Sequence, residues 1–386
     1  MRRAGAVTLG ALAAFACLLL PAPAGARTRP FKLPKVKHVF VIVLENQGYE
    51  ATFGNPAADP YLAQTLPAQG ALLQNYYGTG HESNDNYVSL VSGQPPNAQN
   101  QADCPSFDDF SGAVMLESGV ETGTGCVYPA EVQNIGTQLS AAGRSWKAYM
   151  GDMGNDPNRE TAACGHPAVN STDETQKAEA GDGYATRHDP FVYFHSVIDE
   201  ATYCDGHVVA LGSPTGAMPA AALKGETGLA TDLMHAGRTP ALSFITPNLC
   251  EDGHDFPCTN QTGGESALAD IDGFLEMWVP KITSSAAFHH NGLLEIVFDE
   301  AQSSDATACC GEEPGPGSPM PGVTGPGGGR VGAVLISPHI AAGTVVTTEY
   351  NHYSSLASWE QLFGLPALAD AAGAPRFGAD VFTATK

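Results

Sequence analysis

Basic residues are scarce in this chain of 386 residues: 18 Lys and Arg stand against 41 Asp and Glu, a formal charge of −23 at pH 7. Neutralising a phosphate backbone needs clustered cations, so a nucleic-acid partner is excluded. The same imbalance disfavours docking on an anionic membrane surface. Long apolar runs are missing too: residues 7–20 form the most extended one, short of the roughly 20 residues a membrane-spanning helix needs. No Gly-x-Ser-x-Gly occurs, which removes the nucleophile elbow of a metal-independent serine esterase. No Cys-x-x-Cys occurs, which removes a cysteine-rich zinc site, and no internal repeat is visible. What is present is a 43% hydrophobic fraction, enough for a real core, so the acidity does not signal disorder. The 44 Gly and 28 Pro imply many ordered loops between short elements.

Arg2 and Arg3, the apolar stretch and Ala24-Gly25-Ala26 make residues 1–26 the pattern of a secretory signal peptide cleaved after Ala26, not a stable membrane anchor. Phe15 stands where a lipobox wants a small residue, so Cys17 is not read as a lipidation site. Cleavage would remove two bases and no acid, taking −23 to −25. It would also leave eight cysteines, Cys104, Cys126, Cys164, Cys204, Cys250, Cys258, Cys309 and Cys310. An even number in an exported chain reads as disulfides. Spacing suggests Cys104 with Cys126, Cys164 with Cys204, and the other four among themselves. The oligomeric state is left open.

Residues 36–44 are a continuous apolar run rich in Val and Ile, the pattern of a strand buried on both faces. Residues 241–245, 293–298 and 331–336 read alike, as does the shorter 146–150. Ile271, Phe274, Leu275 and Trp278 recur at helical spacing, and residues 355–362 predict a short helix before Gly364. Buried strands alternating with helices predict an α/β domain over residues 27–386, helices on both faces of the sheet. Residues 97–130 and 151–235, polar and Gly-rich, read as insertions at its edge. Residues 311–330, with 13 Gly or Pro among 20, read as a flexible surface loop within it.

The buried runs end in similar chemistry. The first meets Glu45-Asn46, the run at 241–245 leads to Asn248 and Glu251-Asp252-Gly253-His254-Asp255, and that at 293–298 meets Asp299-Glu300. Ligand sites of open α/β sheets lie beyond the carboxyl ends of their strands. Oxygen ligands and imidazole converging there point to a divalent metal; any one pair alone would read as a helix cap or a solvated turn. A second cluster is Gly80-His81-Glu82-Ser83-Asn84-Asp85-Asn86-Tyr87. Ser83 is a candidate nucleophile, because a hydroxyl on a metal loses its proton readily, and the Asn86 amide could hold a phosphoryl oxygen. The plainer reading is a helix start capped by Ser83 or Asp85, and a helix N-terminus itself favours an anion. His188 and His352 stand in turns where a histidine is ordinarily a surface or capping residue.

In this order, HVFVIVLENQGY, GHESNDNYVSLVSGQ, RHDPFVYF, PNLCEDGHD, IVFDEAQSSD, LISPHIAAGTVV and YNHYSSLASWEQLFGLP resemble the bacterial phosphoesterase family of secreted acid phosphatases and phosphatidylcholine-type phospholipases C, in the alkaline phosphatase-like superfamily. The resemblance covers roughly residues 36–366. It implies a three-layer α/β/α sandwich around a mostly parallel sheet, and hydrolysis of a small phosphate ester or a phospholipid head group. It further implies Glu45, Asn46, Asp299 and Glu300 as metal ligands with Ser83 as nucleophile beside them. Asp252, His254 and His352 would form a second metal or phosphate-binding group, while His81 and His188 would contact phosphate or protonate the leaving oxygen. The donors suit Zn²⁺, Mn²⁺, Ca²⁺ or Mg²⁺. The family pattern is closer to H-P-S-x-P-N-Y; here Glu82 and Asp85 replace both prolines. That departure is what supports the alternative, a metal- and phosphate-binding protein with a decayed catalytic site.

Overall fold

The computed structural model describes residues 31–258 and 266–384, with Met1 and Gly5. The leader expected over residues 1–26 lies, but for those two residues, outside the described residues. Of Met1–Lys32, none of the described residues is in a helix or strand. Leu33–Lys386 is a compact unit. Its elements run β1 (His38–Leu44), β2 (Ala71–Leu73), β3 (Tyr76–Tyr77), α1 (Ser83–Ser92), α2 (Ile135–Ala141), β4 (Trp146–Met150), α3 (His195–Ile198), α4 (Ala201–His207) and β5 (Val208–Ala210). They continue as α5 (Leu229–Asp232), β6 (Leu242–Thr246), α6 (Ala267–Thr283), α7 (Ala286–His289), β7 (Gly292–Phe298), β8 (Ala333–Ile336), β9 (Thr344–Val346), β10 (Tyr350–Asn351) and α8 (His352–Phe363).

Eight strands form one sheet in the order β5-β4-β6-β1-β7-β8-β2-β9, and β3 pairs with β10 apart from it. Every pairing in the large sheet is parallel except the two that β8 makes with β7 and β2. All of β7 is buried, and so is β1 beyond His38, which is why their sequences read as unbroken apolar runs. Alternation along the strands assigns the covering layers. Val41, Phe244 and Glu295 share one face by register, where Phe244 meets Tyr87 of α1 and Glu295 bonds Trp359 of α8. Phe40 points the other way and meets Phe288 of α7, and on that face Lys147 and Tyr149 bond Asp232 of α5. The architecture is a three-layer α/β/α sandwich around a mostly parallel sheet.

The five expected strands appear as β1, β4, β6, β7 and β8. Strands β2, β5 and β9, three residues each, carry too little period to be read. Helix α6 buries Ile271, Phe274, Leu275 and Trp278 as its spacing predicts. Helix α8 starts earlier than expected, at His352, because Asn351 and Ser354 form a reciprocal capping box. The disulfides are Cys104–Cys126, Cys164–Cys204, Cys250–Cys258 and Cys309–Cys310, in keeping with the spacing. The Gly/Pro-rich segment is not wholly a surface loop: residues 327–329 are buried against residues 78–80. A Cβ on Gly328 would fall 2.0 Å from the Gly80 carbonyl oxygen, so only glycine permits that approach.

Candidate active site

Strands β6, β1 and β7 are neighbours and parallel, so their carboxyl ends deliver Asp252, Glu45 and Asp299 to one place. The main chain fixes them there. Glu45 N–H donates to Asp252 O at 2.9 Å, and Asp299 N–H donates to Leu44 O at 2.9 Å. Asp299 Oδ1 then accepts from the main-chain N–H of Asn46 at 3.0 Å and of Glu300 at 2.6 Å. Asn46 takes φ 57°, a left-handed conformation that Asn tolerates better than most residues.

Ser83 opens α1, and its Oγ donates to Glu45 Oε2 at 2.9 Å. Neither Ser83 nor Asp85 caps the helix: Asp103 Oδ1, from the loop tied by Cys104–Cys126, accepts from Asn84 N–H at 3.0 Å. That leaves the Ser83 hydroxyl for the carboxylates. Asn86 shapes the loop before α1, accepting from the N–H groups of Thr79 and Gly80 and donating to the Gly80 and Glu82 carbonyls. It also donates to Glu300 Oε2 at 3.1 Å, and His81 Nδ1 lies 3.2 Å from Glu300 Oε1.

His188, at the end of the turn Thr186–His188, stacks on Tyr87 with ring centroids 5.2 Å apart. Its Nδ1 is 3.1 Å from Asp252 Oδ2 and its Nε2 is 3.4 Å from Glu45 Oε1. Expected at the phosphate, it stands between two carboxylates. Glu45, His188 and Asp252 each offer a ligand atom within 4.8 Å of the others, a group able to hold a metal ion. Burial raises the carboxyl pKa of Glu45 well above its usual value, with Asp299 and Asp252 adding to it. Burial likewise raises Asp252 and Glu300, and takes Asp299 up to about 6. His188 is pushed well below its ordinary value by burial, then by Arg187 and His254, so its imidazole is neutral with a lone pair to offer. Glu45 Oε1 and Asp299 Oδ2 are buried and receive no hydrogen bond among the described residues. Orphaned carboxylate oxygens beside a neutral imidazole fit a divalent cation, which would satisfy them and repay their burial.

His254 and His352 are not in that group. His254 Nδ1 bonds Asp255 Oδ1 at 2.8 Å and its Nε2 lies 3.1 Å from Arg187 Nη2. His352 has both ring nitrogens engaged, Nε2 at 2.6 Å from the Asp299 main-chain oxygen and Nδ1 at 3.2 Å from the Tyr76 hydroxyl. Asn46, His81, Glu82 and Glu300 line a cavity of about 370 Å³, closed on one side by residues 322–324 of the Gly/Pro-rich loop. Arg187 is the residue that sequence reading passed over. It is buried between Asp103 and His254 and donates to the Gln176 carbonyl at 2.9 Å, a cation beside the acids. Its position before His188 was its only signal.

Proteins with assigned names match this chain. It is 25% identical over 343 residues to a phosphatidylinositol-3-phosphatase of Mycobacterium tuberculosis, covering 89% of this chain and 82% of that one. It is 24% identical to an acid phosphatase of Aspergillus fumigatus, over 85% of this chain and 55% of the relative. It is 26% identical to a probable acid phosphatase of Kluyveromyces lactis, over 86% of this chain and 59% of the relative. Thus it spans just over half the length of these fungal relatives. Among solved structures, an alkaline phosphatase superfamily protein from Vibrio parahaemolyticus aligns over 86% of this chain and 68% of that one, with 13% identity and a TM-score of 0.48. A model of the Phosphoesterase family matches residues 56–366. The chain belongs to the Phosphoesterase family and is a hydrolase acting on phosphate esters.

Proposed function

We propose that the chain is an exported, divalent-metal-dependent phosphatase with Ser83 as its nucleophile. One observation carries this reading: the Ser83 hydroxyl donates to Glu45 at the first turn of α1, against the Glu45–His188–Asp252 group. Glu45, Asp299, Asp252 and His188, with Asn46 and Glu300 alongside, are the residues that would hold the cation. A divalent ion there would screen the charge of a phosphate and acidify a nearby hydroxyl.

The chain's own groups balance the protons. Ser83 gives its proton to Glu45 Oε2, its Oγ bonds phosphorus, and the bond from phosphorus to the leaving oxygen breaks in line. His81, on the cavity wall against Glu300, protonates that oxygen. Water then attacks the phosphoserine and returns a proton to His81, and Ser83 recovers its own from Glu45 as phosphate leaves. Burial lowers the His81 pKa, so its acid form is populated at acidic pH and lost as pH rises. The two acids that replace the family's prolines suit the same regime. Burial and Asp103 raise Glu82 to about 7, and burial raises Asp85 well above its usual value, so at acidic pH neither repels an anion as a full charge.

The substrate is a small phosphate ester; the name of the mycobacterial relative supports a phospholipid head group as a second reading. Export is inferred from the leader pattern and the four disulfides. Ser83→Ala and Asp299→Ala, assayed on p-nitrophenyl phosphate and its diester, test the mechanism. Both are expected to lose turnover, as is the wild type after chelation. Near wild-type turnover in either variant overturns the proposal, and binding without turnover in the metal-loaded wild type favours a decayed site.

A further inference from the structure

Four contacts inside the core form a line that starts in the middle of β7 and returns to its end. Glu295, fully buried, touches Ser355 Oγ of α8 through Oε1 and accepts from Trp359 Nε1 through Oε2 at 2.8 Å. Ser355 Oγ lies 2.6 Å from the Tyr76 hydroxyl, and that hydroxyl lies 3.2 Å from His352 Nδ1. His352 Nε2 lies 2.6 Å from the main-chain oxygen of Asp299.

The protons along this line can be counted. A carbonyl oxygen only accepts, so Nε2 carries a hydrogen. The Tyr76 and Ser355 hydroxyls hold one proton each. Four contacts need four protons, and a neutral imidazole, a phenol and an alcohol supply three. The fourth sits either on Glu295 or as a second proton on His352. The second choice leaves a carboxylate and an imidazolium both stripped of water; the first leaves no charge at all. Burial raises the carboxyl pKa of Glu295 to about 7, in keeping with the first choice.

We propose that Glu295 is a neutral carboxylic acid and a positioning residue, which acts through Ser355 and Tyr76 to hold His352 in its Nε2–H tautomer against the Asp299 carbonyl. A carbonyl anchored there sets the peptide plane between Asp299 and Glu300, and with it the directions in which both carboxylates leave the strand. Gly78 leaves room for the arrangement, since a Cβ there would fall 2.6 Å from the same oxygen. The functional half of this inference rests on Asp299 being a metal ligand; the tautomer and the neutral acid do not.

Glu295→Gln separates the two protonation states. Its amide N–H replaces the acid's O–H toward Ser355, and its carbonyl still accepts from Trp359. At pH 5 this variant is expected to keep metal affinity and kcat within about twofold of wild type. Glu295→Leu and Tyr76→Phe interrupt the line and are expected to weaken metal affinity about 10-fold or more. Two readouts on the wild type need no activity: ¹⁵N NMR for the tautomer of His352, and an infrared protonated-carboxyl band that Glu295→Gln removes. Expected are the neutral Nε2–H form and a band lost in the variant. An imidazolium or Nδ1–H form at His352, no such band, or a Gln variant as damaged as the Leu variant overturns the proposal. Unchanged metal affinity in Tyr76→Phe overturns the positioning role, and metal affinity of Asp299→Ala, measured separately, shows whether the ligand reading failed with it.

Discussion

Ser83 is free for chemistry because another residue caps its helix. Asp103 takes the Asn84 N–H, so the Ser83 hydroxyl turns to Glu45. Ser83→Ala is therefore expected to lower kcat about 10³-fold or more while the thermal midpoint barely moves, since no helix cap is lost. His188→Ala removes the one imidazole of the metal-capable group and is expected to weaken metal affinity about 10-fold to 100-fold, read by titrating the metal-free protein. A variant that bound metal as well as wild type would remove His188 from the site. Glu45 and Asp299 were legible in the sequence because a polar residue directly after a buried run can only stand at a strand's end, and Ser83 because it sits in a polar cluster at a helix start. The placing of His188 and the role of Arg187 were not, because each is decided by partners far along the chain, Asp252 for one and Asp103 and His254 for the other.

At the scale of elements, α1 and α8 are capped in different ways. Helix α8 carries its own capping box at Asn351 and Ser354, a local pattern. Helix α1 borrows its cap from the disulfide-tied loop, and Asp103 also faces the buried Arg187 guanidinium at 3.6 Å. Asp103→Ala is expected to cost about 1–3 kcal/mol, from an orphaned N–H and a guanidinium left without that carboxylate. Thermal or denaturant unfolding checks it, and a loss below a few tenths of a kcal/mol would mean that α1 does not depend on this cap. The long central strands were readable because burial on both faces leaves an apolar signature. The short strands β2, β5 and β9 were not, since three residues show no period and only their neighbours in the sheet define them. The polar, Cys-bearing stretch 151–235, read as an insertion, yielded α3–α5 and β5 only in the folded chain, where the disulfide Cys164–Cys204 lies within it.

The whole molecule carries its acidity in two populations. Some acids are exposed, but fifteen of those among the described residues are buried, including Asp189 and Glu360, pushed up to about 8 by that burial, and Glu295, up to about 7. A carboxyl in an unfolded chain titrates near 4. Between about pH 4 and 8 these acids thus hold protons in the folded state that they lose in the unfolded one, so their contribution to stability is full at the acid end and declines as pH rises. The excess of acids, a formal net charge of −23 at pH 7, acts in the same direction through self-repulsion. Histidines whose pKa burial lowers pull the other way below about pH 6.5. The thermal midpoint is therefore expected to fall from about pH 6.5 to about pH 8, and Glu360→Gln to flatten the fall, since it keeps the acceptor for Leu368 N–H without titrating. A midpoint that rose over that range would contradict the burial of these acids.

The most direct test of the central claim is chemical. Metal-loaded enzyme mixed with p-nitrophenyl phosphate at acidic pH, quenched in acid within one turnover and digested, should yield the peptide containing Ser83 heavier by one phosphoryl group, with fragmentation placing the group on Ser83. Substrate turnover with Ser83 unmodified at every quench time, and no loss of rate in Ser83→Ala, would contradict it.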